Sequence, residues 1–191
     1  MSIFGILLLM KRLFFVRHGE THTNVAGIID GHSKTSLTDN GKEQVKNAGK
    51  HLKNVTPNID LIISSPLERT LETAKHIAEE IGYPIENIKI NKLLIERSYG
   101  ILEGTSRDEF FETHKYSDMD NVKDVETLAD LQIRATRALE YVRSLSDYNN
   151  ILVVSHGSFG KAFRRAVKNL PHTHEYEFPG TISNAEILEL I

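Results

Sequence analysis

Three short apolar stretches, Leu13 to Val16, Ile59 to Ile63 (broken only by Asp60) and Ile151 to Val154, constrain the fold more than any other feature of the chain. A strand with one wet face alternates apolar and polar residues, whereas a strand buried on both faces reads as a continuous apolar run. Runs of this kind belong to a mainly parallel sheet covered by helices on either side. Helical spacing appears between them. Val45, Ala48 and Leu52 fall on one face of a segment that follows Thr38. Leu67, Leu71, Ala74, Ile77 and Ile81 form a stripe that Gly82 ends, with Ser65, Pro66 and Glu68 reading as cap, first turn and capping-box partner. A third helix is expected over Leu128 to Leu145 and a fourth after Gly157, with Ala185 to Ile191 as a final strand. This alternation predicts an α/β fold, a three-layer α/β/α sandwich around a mainly parallel central sheet.

The residues just after each run are equally informative. The first runs into Arg17-His18-Gly19-Glu20, the second into Ser64-Ser65-Pro66-Leu67-Glu68-Arg69, and the third into Ser155-His156-Gly157. Ligands of open α/β sheets bind outside the carboxyl ends of the strands, so parallel neighbours would gather two Arg and two His in one crevice. Guanidinium groups match phosphate oxygens bidentately, which makes a phosphoryl group the inferred ligand. Each piece alone has a plainer explanation as a surface pair or a solvated helix residue; three at strand ends argue for a site.

Composition narrows the chemistry. The chain has 191 residues, a formal net charge of −3 and no Cys. Without Cys there is no thiol nucleophile, thiolate zinc site or disulfide framework. A slightly acidic total provides no broad cationic field, so neither nucleic acid nor a membrane surface is expected as a partner. The apolar run between Ile3 and Met10 precedes Lys11 and Arg12, the reverse of a secretory signal, and is too short to span a bilayer. A cytoplasmic location follows, with residues 1–9 read as an extra apolar segment, favoured as a mis-assigned start before Met10.

The sequence resembles the histidine phosphatase superfamily, also called phosphoglycerate-mutase-like. The resemblance rests on Arg17-His18-Gly19-Glu20-Thr21 with Asn24, Gly31, Leu37-Thr38 and Gly41, on Ser65-Pro66-Leu67-Glu68-Arg69-Thr70, on Leu94-Ile95-Glu96 with Gly100 and Glu103-Gly104, and on Ser155-His156-Gly157. It implies one catalytic domain over residues 10–191 with a short lid insertion near 105–127. It implies that His18 is a nucleophile that becomes a phosphohistidine, that Arg17, Arg69 and His156 cradle the phosphoryl oxygens, and that Glu96 is general acid and then base. Asn24, Gly31, Tyr99, Arg107 and Gly157 are the implied substrate-binding positions, and neither metal nor cofactor is required. The expected tautomer of His18 has its other nitrogen bonded to a carbonyl, with Gly19 the candidate. A bland alternative makes Glu96 a loop residue paired with Arg97.

The same family holds phosphatases and mutases. Only sixty positions separate Glu96 from His156, and residues 105–127 carry seven acidic against three basic side chains. An acidic lid disfavours a ligand with two phosphates and a carboxylate. The expectation is therefore a metal-independent phosphatase of small phosphomonoesters, with phosphoglycerate mutase-type transfer as the alternative and an inactive phospho-ligand-binding module as a second. A small phosphorylated metabolite is the expected partner, and the state of assembly is left open between monomer and homodimer. His18, Glu20 and His22 are not in the order of a helical metal site. His172 and His174 are read as a solvated loop, and Lys161, Arg164, Arg165 and Lys168 as a solvated helix face.

Overall fold

The computed structural model describes residues 12–56, 58–170 and 181–191. The expectations for residues 1–9, His172 and His174 lie outside these. A five-stranded sheet runs in the order β3 (Lys89–Ile90), β2 (Leu61–Ser64), β4 (Asn150–Ser155), β1 (Arg12–Arg17), β5 (Ile187–Glu189). Every neighbouring pair is parallel except β1 with β5. The continuous apolar runs have the two-sided burial expected of them. In β1, Leu13 and Phe15 face one core cluster while Phe14 and Val16 face the other. Ile151 and Val153 of β4 join the first, and Leu152 and Val154 the second.

Helices cover both faces. On one lie α2 (Asp39–Val55) and α3 (Glu68–Ile81), and on the other α5 (Leu128–Ser144) and α6 (Gly157–Val167). Thr38 caps α2 by accepting from the Gly41 amide, and Gly82 ends α3 at φ 77°, a conformation that suits glycine. The expected cap of α3 does not form. Leu67 occupies that position with no side-chain bond, and Ser65, two residues earlier, accepts from the Leu67 amide at 3.4 Å and bonds His156 at 2.7 Å. A third, smaller cluster of Ile29, Tyr99, Met119 and Val125 lies beneath α4 (Arg107–Thr113) and a 3-10 segment, Tyr116–Asn121. A one-turn helix, α1 (His22–Val25), comes after β1. Gly19 packs so closely on Gly41 that a β-carbon on it would stand 2.6 Å from the Gly41 oxygen, which brings the start of α2 against the loop leaving β1. Among the described residues no helix is long and apolar enough to cross a membrane.

Candidate active site

The carboxyl ends of β1, β2 and β4 are adjacent, so the residues after them converge as their parallel order dictates. His18 is 4% exposed and its Nδ1 lies 2.8 Å from the Gly19 carbonyl oxygen. A carbonyl can only accept, so Nδ1 carries the proton and Nε2 keeps its lone pair. Burial, and then the positive charges of Arg69 and Arg17, hold the imidazole well below its ordinary value of 6.5. His18 is therefore neutral near pH 7. Its own carbonyl is held by the Ala185 amide at 3.2 Å and by Asn184 Nδ2 at 3.1 Å.

Arg69 is the other buried anchor, 1% exposed. It donates from Nη2 to Gly31 O at 2.6 Å and from Nε to His156 Nδ1 at 3.3 Å, and lies 3.5 Å from Asp30. Accepting at Nδ1 leaves His156 with its proton on Nε2, which donates to Ser65 Oγ. Burial first, with Arg69 and His18 adding, depresses this imidazole well below 6.5 as well. Its ring is 5.3 Å from that of His18 in an edge arrangement. Arg17 donates from Nη1 to Ile182 O at 2.7 Å, while its buried Nε has no hydrogen-bond partner among the described residues.

Glu96 comes from the loop after a 3-10 turn at Lys92–Leu94 and is 6% exposed. It meets the start of α6, where His156 supplies no side-chain cap. Oε1 accepts from the Phe159 amide at 2.8 Å and the Arg97 amide at 2.9 Å, and Oε2 from the Ser158 amide at 3.1 Å. The carboxylate thus serves the orphan donors of that helix. Its pairing with Arg97 is by backbone only. The Arg97 guanidinium turns away to Asp120.

A cleft of about 490 Å³ opens over these groups. Arg17, His18, Asn24, Glu96, Tyr99, Arg107 and Gly157 line it, whereas Arg69, His156 and Gly31 stand behind them. Asn24 Oδ1 accepts from the Thr21 amide and from Asn184 Nδ2, and the Tyr99 hydroxyl is 2.6 Å from Ser158 Oγ. Arg107 has a side chain 61% exposed. Of the aromatics between residues 105 and 127, Phe110 and Tyr116 pack on the third cluster, while Phe111, 38% exposed, faces the cleft beside Tyr116.

The basic residues of α6 do not share one solvated face. Arg165 is buried, and Lys161 lines the cleft with Nζ 5.7 Å from the centre of the Tyr116 ring. Burial lowers its ammonium from the usual value. Lys161 was hidden in the sequence because its neighbours at helical spacing are also basic; its position five residues after His156, one turn into the helix on the cleft side, was the available signal. Asn184, Ser65 and Asp30 were missed as partners of the central groups, and nothing local in the sequence marks Asn184.

The sequence profile of the histidine phosphatase superfamily (branch 1) matches residues 13–191. The uncharacterized phosphatase PhoE of Bacillus subtilis is 33% identical over 150 residues, which cover 78% of this chain and 73% of PhoE. The 2,3-bisphosphoglycerate-dependent phosphoglycerate mutase of Bartonella bacilliformis is 34% identical over 99 residues, and this match spans about half of either protein, 52% of this chain and 48% of the mutase. The solved structure of the Mycobacterium tuberculosis open reading frame Rv3214 superposes with a TM-score of 0.78 at 29% identity, over 93% of this chain and 89% of that one.

Proposed function

The chain belongs to the histidine phosphatase superfamily, and from that premise we propose that it hydrolyses small phosphomonoesters through a phosphohistidine on His18. The observation that carries this reading is the neutral imidazole with its proton fixed on Nδ1, beside a buried Arg17 Nε that has no acceptor among the described residues. One group supplies a lone pair, the other a charged donor for a phosphoryl oxygen. In the first half-reaction Nε2 of His18 bonds to phosphorus and the ester P–O bond breaks. The leaving oxygen takes a proton from Glu96. In the second, the Glu96 carboxylate takes a proton from water, whose oxygen attacks phosphorus and frees His18 as phosphate departs. Oε2 accepts one amide against two on Oε1, so Oε2 is the oxygen with room to carry the transferred proton. Arg17, with Arg69 and His156 behind it, stabilises the charge on the phosphoryl group without a metal.

The acidic lid supports hydrolysis over exchange between bisphosphorylated acids. Mutase transfer is kept as a second reading because Lys161 and Arg107 both line the cleft and offer cations to a second anionic group. The test is a panel of phosphomonoesters with and without EDTA, alongside phosphoglycerates supplied with 2,3-bisphosphoglycerate. Release of phosphate that EDTA leaves unchanged, and an acid-labile phosphoprotein that His18→Ala abolishes, are expected. Rapid interconversion of phosphoglycerates with little phosphate release would replace the phosphatase by the mutase, and no turnover of any ester would leave a binding module. Glu96→Gln is expected to lower kcat/KM for alkyl phosphates about 10²- to 10⁴-fold.

A further inference from the structure

The loop that carries Glu96 is held by His32, whose Nε2 lies 2.9 Å from Glu96 O, by Ser155, whose Oγ donates to Leu94 O at 2.7 Å, and most extensively by one arginine. Arg134, on α5, donates from Nη1 to Leu93 O at 2.9 Å and to Ile95 O at 2.6 Å, and from Nη2 to Glu96 O at 3.2 Å. Its other edge is fixed by Glu126 in a two-point pair, Nε to Oε1 at 2.8 Å and Nη2 to Oε2 at 2.6 Å. The guanidinium carbon lies 5.2 Å from the centre of the Phe159 ring, and the Phe159 amide is one of the donors to the Glu96 carboxylate. One planar cation therefore touches the backbone oxygens around Glu96 and the ring of the residue that holds its carboxylate. A lysine could not reproduce this fork. Arg134 and Glu126 are both mostly buried, with side chains 16% and 17% exposed, and neither lines the cleft.

A second arginine closes the frame. Arg97 Nε donates to Glu126 O at 2.7 Å, while the Glu126 amide donates to Ser98 O at 2.9 Å. Glu126 stands at the end of residues 105–127, so the loop and that segment are tied through the same residue.

We propose that Arg134, fixed by Glu126, is the positioning residue that sets the reach of the Glu96 carboxyl to the leaving-group oxygen. The proposal rests on the reading of Glu96 as general acid. Proton donation matters most when the leaving oxygen is strongly basic, as in an alkyl ester, and little when it is a nitrophenolate. A displaced acid must therefore cost more with the first than with the second.

The test compares kcat/KM for glycerol 2-phosphate and 4-nitrophenyl phosphate in the unaltered protein and in Arg134→Met, Glu126→Gln and Glu96→Gln, with melting temperatures recorded. For Arg134→Met the loss on the alkyl ester is expected to exceed the loss on the aryl ester by at least about tenfold, in the pattern of Glu96→Gln, with Glu126→Gln smaller in the same direction. Equal losses on both esters, or none, in Arg134→Met overturn the proposal and leave Arg134 a scaffold residue. If Arg134→Met does not fold, Glu126→Gln decides by the same criterion. If Glu96→Gln itself treats both esters alike, the assignment of Glu96 fails and the proposal falls with it, a pattern distinguishable from failure in Arg134→Met alone.

Discussion

Arg69 and Arg107 both belong to the candidate site, yet they answer to different physics. Arg69 is 1% exposed, and its Nε and both terminal nitrogens meet His156, Gly31 O, Ser33 O and Asp30. Arg107 starts α4 with a side chain 61% exposed, 3.9 Å from Asp108, itself 88% exposed. At the strand ends, charge is desolvated and already oriented; on α4 it is hydrated, and screening by water and salt reduces its worth. The cations at the strand ends are fixed by buried partners, and Arg107 is not.

Substitutions test that contrast most sharply where the expected effect is greatest. If His18 carries the phosphoryl group as proposed, His18→Ala should lower turnover at least about 10³-fold; phosphate release in single-turnover assays checks this. Arg69→Met should cost about 3–5 kcal/mol of stability by leaving Asp30 buried without its cation, read as a lowered denaturation midpoint. Acid provides an intermediate perturbation. His18 and His156 bind protons in the unfolded chain near 6.5 but only well below that when folded. The unfolded state then holds more protons as pH falls below about 6.5, so stability declines on that side. Melting temperatures between pH 7.5 and 5.5 should fall, with a shallower slope in His156→Gln. Arg107→Ala should do least, shifting stability within about 0.5 kcal/mol, with KM rather than kcat responding. A loss of stability there as large as that in Arg69→Met would erase the contrast.

The legible parts of the molecule were those whose physics is local in sequence. Runs such as Phe14-Phe15-Val16 declare two-sided burial, and Thr38 and Gly82 mark real helix ends. His18 and its Gly19 acceptor are adjacent in the chain, so that hydrogen bond was foreseeable. The illegible parts depend on partners brought together by the fold. Ser65 looked like a helix cap, and its Oγ accepts from the Leu67 amide, but its shorter bond is to His156, 91 positions away. Arg134 looked like any polar residue on an amphipathic helix, because the three carbonyls it grips lie about forty positions upstream. Lys161 differed from its basic neighbours only in its spacing from His156, a signal whose meaning depends on how α6 lies over the cleft. The aromatic residues Phe110, Phe111 and Tyr116 divided between core and cleft for the same reason.

The segment from Ile182 to Ala185 returns to the mouth of β1, where it accepts from Arg17, donates to the backbone of Arg17 and His18, and links to Asn24 through Asn184. His18 and Asn184 are 166 positions apart. The backbone that carries His18 is thus held by a contact between segments far apart along the chain. Closing so long a loop is a slow kind of contact to form, so much of the sheet can assemble before this anchor is in place. The His18 ring is oriented by its neighbour Gly19 as soon as the loop forms, whereas the backbone beneath it is secured only when this distant segment docks.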